Sequence, residues 1–303
     1  MQFRKATRRQ LKARVALAGP SGSGKTYTAL RLAFGLVGAG GKVAVVDTEN
    51  RSAEKYVGTE VDGTRWDFDV ATPDRFDPVD LAHTLREAAK HYDVIVVDSL
   101  TAYWSGIGGM LERVDNAAKR TGRGNSFEAW KIEKPAEREL LAALVGTDAH
   151  LIVTMRVKSE YVIEENDRGK KVPRKIGLKP EQRDGIEYEF DFVADLDGDH
   201  NLIPSKSRCP ALDGRVFSRP GADVAQTLRA WLDDGEAGPA PAPQPEPARE
   251  RPPFDAEKAK AWIATTGVAL IDVERDVERI AADWTEADRP AIKAAVERLR
   301  GGA

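Results

Sequence analysis

Eight consecutive residues, Gly19-Pro20-Ser21-Gly22-Ser23-Gly24-Lys25-Thr26, follow the spacing G-x-x-x-x-G-K-[ST] in full. Glycines at this spacing let backbone N–H groups converge on phosphate oxygens, with the positive end of a helix dipole behind them. A lysine in the seventh position reaches the β- and γ-phosphates, and the hydroxyl after it coordinates Mg²⁺. Lys25 and Thr26 hold those positions, so the implied chemistry is binding of ATP with Mg²⁺. The metal needs a second oxygen ligand, and Asp93-Val94-Ile95-Val96-Val97-Asp98-Ser99 supplies an apolar strand ending in Asp98. That strand is expected beside the loop. A further carboxylate pair, Asp47 and Glu49, follows the apolar run 43–46, at the strand edge where α/β folds bind ligands.

The elements around these residues alternate. Residues 14–18 read as a strand, and 26–37 as a helix with Leu30, Ala33, Phe34 and Val37 on one face. Gly38, Gly40 and Gly41 stop that helix. Further strands are expected over 43–46, 94–97 and 151–154, with helices over 78–91 and 127–145. Strands separated by helices pair in parallel through right-handed crossovers, so the fold class is α/β with a mainly parallel central sheet flanked by helices. Residues 161–176 read as a hairpin turning at Asn166-Asp167-Arg168-Gly169. Short strands over 192–196, 202–204 and 215–217 are expected to extend the sheet.

Apolar residues make up 41% of the 303 positions and charged residues 31%, which excludes a wholly disordered chain. No apolar run approaches the roughly 20 residues of a spanning helix, so no membrane partner is expected and the cytoplasm is the default compartment. Cys209 is the single cysteine, which excludes an internal disulfide framework and a cysteine-clustered zinc site. A net charge of −3 argues against a protein that coats nucleic acid with its whole surface, but local basic clusters remain. A basic arm over 1–13 precedes the α/β domain of 14–234. The Pro/Ala-rich stretch 235–253 reads as an extended linker, and 254–303 as a small all-helical module with Trp262 and Trp284 in its core. The acidic run from Asp184 to Asp199 reads as a solvated face.

Several of these features together resemble the RecA-like P-loop ATPases, and the resemblance spans roughly residues 13–232. Asp47-Thr48-Glu49 matches the D-T-E of its archaeal and eukaryotic recombinase branch, and Val97-Asp98-Ser99 its V-D-S. The resemblance implies that Glu49 orients and polarises the attacking water. It also implies that Arg156, ending the strand His150-to-Met155, stands beside the γ-phosphate, where bacterial recombinases carry Gln. Lys206-Ser207-Arg208 is similar to the K-x-R element whose basic pair reaches a neighbouring subunit's γ-phosphate. Self-association into a ring or filament follows, with Lys206 and Arg208 as catalytic residues acting in trans. The layout is similar to the small bacteriophage RecA-like ATPases of recombination and single-strand annealing.

That family grips single-stranded DNA with two loops, one after the Asp98 strand and one after the Arg156 strand. The corresponding stretches here carry Lys119, Arg120 and Arg123, and then Lys170, Lys171 and Arg174. Trp130 and Tyr161 are near enough to stack on bases, whereas Tyr103 and Trp104 read as core. Phe3-Arg4-Lys5-Ala6 fits the F-x-x-A pattern of subunit contacts in this family. Residues 254–303 would offer a docking face to a single-strand-binding or replication protein. The expected function is a DNA-dependent ATPase of recombination or annealing. The alternatives are a helicase-like or loader ring, a P-loop phosphotransferase, and an ATP switch that does not hydrolyse.

Overall fold

The computed structural model describes residues 11–38, 40–120, 126–165 and 171–233, with the backbone alone for 159–165 and 171–176. The chain divides into two units, Met1–Gly238 and Pro239–Ala303, and the description concerns the first. The Phe3-to-Ala6 pattern, the linker, the helices expected over 254–303, and Arg123 and Lys170 lie outside the described residues.

β1 (Arg14–Gly19) leads through the glycine-rich turn into α1 (Lys25–Val37). β2 (Val43–Asp47) follows, then the small strands β3 (Glu60–Val61), β4 (Thr64–Arg65) and β5 (Asp69–Ala71). α2 (Pro78–Ala88) crosses to β6 (Val94–Asp98). Three helices come next: α3 (Ala102–Ser105), α4 (Met110–Arg120) and α5 (Ser126–Gly146). β7 (His150–Glu165) and β8 (Lys171–Pro180) form the expected hairpin. β9 (Phe192–Leu196), β10 (Asn201–Ser207), β11 (Phe217–Ser218) and α6 (Ala222–Asp233) complete the unit.

Among the described residues the central sheet runs β11-β10-β9-β1-β7-β6-β2-β5, with β8 paired to β7. The five pairings β1–β7, β1–β9, β6–β7, β2–β6 and β2–β5 are parallel. β10 runs antiparallel to β9 and β11. The expected mainly parallel sheet is present. β7 lies between β1 and β6, and Asp98 at the end of β6 still stands beside the phosphate loop, within hydrogen-bond reach of Thr26. Local periodicity identifies a buried strand but carries no information about its neighbours.

Both sheet faces are covered, so the central strands are mainly apolar until the ends that carry Asp47, Asp98 and Thr154, and their side chains alternate between two cores. Val15, Leu17, Val94, Val96 and Ile152 pack on one face with Leu30, Phe34 and Leu228 of α1 and α6. Ala16, Ala18, Ile95, Val97 and Val153 pack on the other with Leu81, Leu85, Leu140 and Leu144 of α2 and α5. Each fully buried aliphatic side chain contributes about 1.5–3 kcal/mol, and a one-residue slip would exchange the two sets. The register is therefore strongly specified, and with it the heights at which the strands end. No described helix is long and apolar enough to cross a membrane.

Candidate active site

Parallel strands end together at one sheet edge, and their register gathers the chemistry. Gly19 is level with Arg156, Asp47 with Asp98, and Val97 with Val153, so Asp98 and Thr154 emerge side by side. These ends border a cleft of about 950 Å³ lined by the phosphate loop, Glu49, Asp98 and Arg156, within the roughly 300–1,000 Å³ typical of small-molecule sites.

The loop has the conformation its glycines require. Gly22 and Gly24 have φ of 82° and 86°, a region side chains disfavour. A Cβ on Gly19 would lie 2.6 Å from both Leu196 O and Ser23 Oγ. Gly24 caps α1 without any side-chain hydrogen bond, so the first-turn N–H groups, which have no intrahelical acceptor, face a ligand site. Lys25 Nζ donates to the carbonyls of Gly19 (2.9 Å) and Pro20 (2.8 Å). Burial holds its ammonium below the usual pKa, against the opposing pull of Asp98 and Glu49.

The donor set fits Mg²⁺. Thr26 Oγ1 donates to Asp98 Oδ2 at 2.6 Å, and Thr154 Oγ1 donates to Asp98 Oδ1. Burial raises the Asp98 pKa, with these two hydroxyls acting in the opposite direction. One hydroxyl and one carboxylate beside a phosphate cradle match an ion that takes few protein ligands and completes its shell with phosphate and water. When bound, Mg²⁺ would neutralise phosphate charge here, held by Thr26 and Asp98. Among the described residues no cluster of three or more His, Cys, Asp or Glu forms a separate metal site.

The two carboxylates after β2 have different tasks. Asp47 is fully buried and accepts from the N–H groups of Glu49 (2.7 Å) and Ala53 (2.8 Å), which shapes the turn. Glu49 faces the cleft. Its Oε1 accepts from Ser99 Oγ at 2.9 Å and from Arg156 Nε at 2.8 Å, and its Oε2 accepts from Arg156 Nη2. Burial alone would raise the Glu49 pKa, but the hydrogen bonds from Arg156 and Ser99 outweigh it and hold the carboxyl below its usual range.

Some residues in the cleft had no signal in the motif spacing. Tyr27, Arg31, Tyr56, Glu181, His200 and Arg219 all line it. Tyr27 packs on Tyr56 and on buried Trp66, with ring centroids 5.7 and 5.2 Å apart, an aromatic wall suited to a nucleobase. Arg31 pairs with Asp62 (2.8 Å) and donates to Pro220 O (3.2 Å), tying α1 to the segment after β11.

Other expected residues lie elsewhere. Lys206 and Arg208 line no part of this cleft. Lys206 Nζ donates to the carbonyls of Glu187 (2.8 Å) and Tyr188 (3.1 Å), and Arg208 pairs with Asp191 at 3.0 Å. The first two cations of the basic loop expected after the Asp98 strand are helical. Lys119 and Arg120 form the last turn of α4, and Arg120 approaches buried Glu133 at 3.4 Å, so a helix-ending ion pair replaces a free loop. Lys171 and Arg174 lie on β8. Tyr103 is buried as expected, whereas Trp104 is half-buried and packs on Trp130 at 5.7 Å, which turns Trp130 from a stacking candidate into a packing partner. The acidic run is not simply solvated either, because Asp191 pairs with Arg208 and Asp197 anchors a turn.

The comparison with curated proteins gives no match. A family model described as an AAA domain matches residues 11–214. The match covers more than half of the chain and takes in both the phosphate loop and Asp98, and the chain therefore belongs to the AAA-domain family of P-loop ATPases.

Proposed function

We propose that this protein is a RecA-like ATPase of the phage type that acts on single-stranded DNA in recombination or strand annealing. The observation that carries the reading is the continuity of β7. The strand bearing Thr154 and Arg156 in the cleft runs on without a break into the β7–β8 ribbon. The ribbon is closed at its root by Glu181 N–H donating to Arg156 O at 2.7 Å. Lys158, Lys171, Arg174, Lys175 and Lys179 outnumber Glu160, Glu164 and Glu165 along it, and a net positive ribbon suits a phosphate backbone. A ligand gripping the ribbon would pull on the residue that holds Glu49.

In the mechanism, the N–H groups of the loop and Lys25 would bind the phosphates, and Thr26 and Asp98 would hold Mg²⁺. Glu49 accepts a proton from the attacking water once Arg156 has left it. Freed, the guanidinium can turn to the γ-phosphate, where a fixed positive charge stabilises the transition state. Lys206 and Arg208, outside their own cleft, are offered to a neighbouring subunit in a ring or filament. Residues 254–303 would recruit a single-strand-binding or replication protein.

The test is ATP hydrolysis by the purified chain with and without single-stranded DNA, beside Lys25→Ala and Glu49→Gln. Stimulation by DNA that both substitutions abolish supports the reading. Hydrolysis indifferent to DNA overturns its nucleic-acid half and leaves the ATPase.

A further inference from the structure

The turn between β9 and β10 reaches the phosphate loop from outside the motif. β9 is the parallel neighbour of β1, so both strands end at the same edge, and Leu196 O comes within 2.6 Å of a Cβ on Gly19. The segment that follows β9 therefore overhangs the loop that follows β1. Where the turn rejoins β10, His200 Nδ1 lies 3.1 Å from the carbonyl oxygen of Ser23. A carbonyl can only accept, so Nδ1 carries the proton and donates.

The imidazole is held there by its surroundings. Asp197 accepts from the N–H groups of Asp199 (2.9 Å) and Asn201 (2.8 Å) and from Asn201 Nδ2 (2.9 Å). His200 N–H donates to Asp197 O at 3.2 Å, and His200 O accepts from Arg219 N–H at 3.0 Å. His200 itself has φ of 64°, a conformation that costs energy for a side-chain-bearing residue. Opposite it stands Gly24, where a Cβ would lie 3.3 Å from His200 Nδ1. A left-handed histidine thus packs closely against a left-handed glycine of the phosphate loop.

We infer that His200 is a positioning residue for nucleotide binding: by holding the Ser23 carbonyl it keeps the phosphate loop in its binding conformation. This deepens the nucleotide-site reading and rests on it. Peptide groups are rigid, so fixing the Ser23 carbonyl against His200 also fixes the N–H of Gly24 on the other side of the same peptide. A carbonyl swung into the cleft would instead set an acceptor against phosphate oxygens. Ordering the loop in advance lowers the cost of binding. Bound phosphates order the loop themselves, so the effect falls on affinity more than on turnover.

The experiment uses the full chain and Mg·ATP, with His200→Gly, His200→Asn and Lys25→Ala. Glycine removes the imidazole and accepts the left-handed φ, so no new backbone strain accompanies the loss. Asparagine also tolerates that φ and returns a short N–H donor. Equilibrium ATP binding is expected to weaken about five- to ten-fold in His200→Gly, the worth of one such hydrogen bond. KM should rise in parallel, kcat should fall no more than about two-fold, and His200→Asn should recover most of the affinity. Amide exchange over residues 22–26 of the nucleotide-free protein should quicken in His200→Gly alone. Unchanged affinity in His200→Gly, with Lys25→Ala abolishing binding, overturns the inference and keeps the nucleotide site. An equal loss in His200→Gly and His200→Asn also overturns it, because the donor would then be irrelevant. Failure of Lys25→Ala to affect binding would instead sink the nucleotide-site reading beneath it.

Discussion

Arg156 and Glu49 are joined side chain to side chain, with Nε donating to Oε1 at 2.8 Å and Nη2 to Oε2. Arg156 lies on β7, and Glu49 lies two residues beyond β2, which stands two strands away. The carboxylate proposed to activate water is thereby engaged on both oxygens. A bidentate guanidinium pair is among the stronger charge-assisted arrangements, and it lowers the basicity of Glu49 while it lasts.

Replacing Glu49 by Gln should lower hydrolysis at least 100-fold and leave ATP affinity within about three-fold, since only the proton acceptor is lost. Arg156→Gln should move the acid limb of the kcat/KM profile, which reports the free enzyme, upward in pH. The sign follows from the opposing effects on Glu49: burial raises its pKa, and Arg156 and Ser99 lower it by more. Without the guanidinium, Glu49 protonates at higher pH. In the intact protein the pair adds stability at neutral pH, and that contribution disappears as pH falls through the depressed Glu49 pKa. A kcat/KM profile of Arg156→Gln that superimposes on the parent in its acid limb would separate Glu49 from the titration.

Asp98 makes the opposite case. Burial raises its pKa, so without metal the ionised carboxylate weakens the fold as pH rises through that raised value. Asp98→Asn keeps the shape, accepts from one threonine hydroxyl and donates to the other. The variant should melt at least about 2 °C higher than the parent in Mg²⁺-free buffer at pH 7. It should also lose the additional stabilisation that Mg·ATP gives the parent. Thermal melts with EDTA and with Mg·ATP test both halves, and a lower melting temperature in EDTA would refute the first.

Much of this site could be read from the chain because its parts are contiguous. The phosphate loop, the strand ending in Asp98 and the Asp47–Glu49 pair each need only a few neighbours in sequence to be recognised. What joins them does not. Thr154 closes an apolar run and shows no special spacing, yet the β6–β7 register sets it against Asp98. His200 and Arg219 reach the cleft from segments whose proximity depends on strand order. α4 escaped notice because only Met110, Val114 and Ala117 of its eleven residues are buried, and its polar remainder reads like a loop. Lys119 and Arg120, in its last turn, read as loop for the same reason. Asp47 and Glu49 are separated by burial and by partners, neither of which the neighbouring sequence reveals.

If the β7–β8 ribbon holds single-stranded DNA, its cations act through phosphate charge. Lys171→Ala and Arg174→Ala should each weaken DNA binding on every sequence tested. Each should also flatten the plot of log affinity against log salt by about 0.7. DNA stimulation of hydrolysis should fall in step, while hydrolysis without DNA holds. Binding titrations at several salt concentrations read both quantities, and an unchanged slope in both variants would remove the ribbon from the DNA interface.

Lys206 and Arg208 test assembly. Both are satisfied within their own chain, by the Glu187 and Tyr188 carbonyls and by Asp191, and neither lines its own cleft. A residue that completes a neighbour's site can be supplied by a different protomer from the one it serves. Arg208→Ala should therefore lower kcat at least ten-fold with ATP affinity preserved. Glu49→Gln should be inactive for an independent reason, because its own cleft lacks the proton acceptor. Mixed in equal amounts, the two variants form interfaces in which a Glu49→Gln chain presents an intact Arg208 to a cleft with an intact Glu49. Activity in the mixture should exceed that of either variant alone and rise with protein concentration. If the mixture only averages its components, Arg208 serves its own fold through Asp191 and the shared site is lost as an explanation.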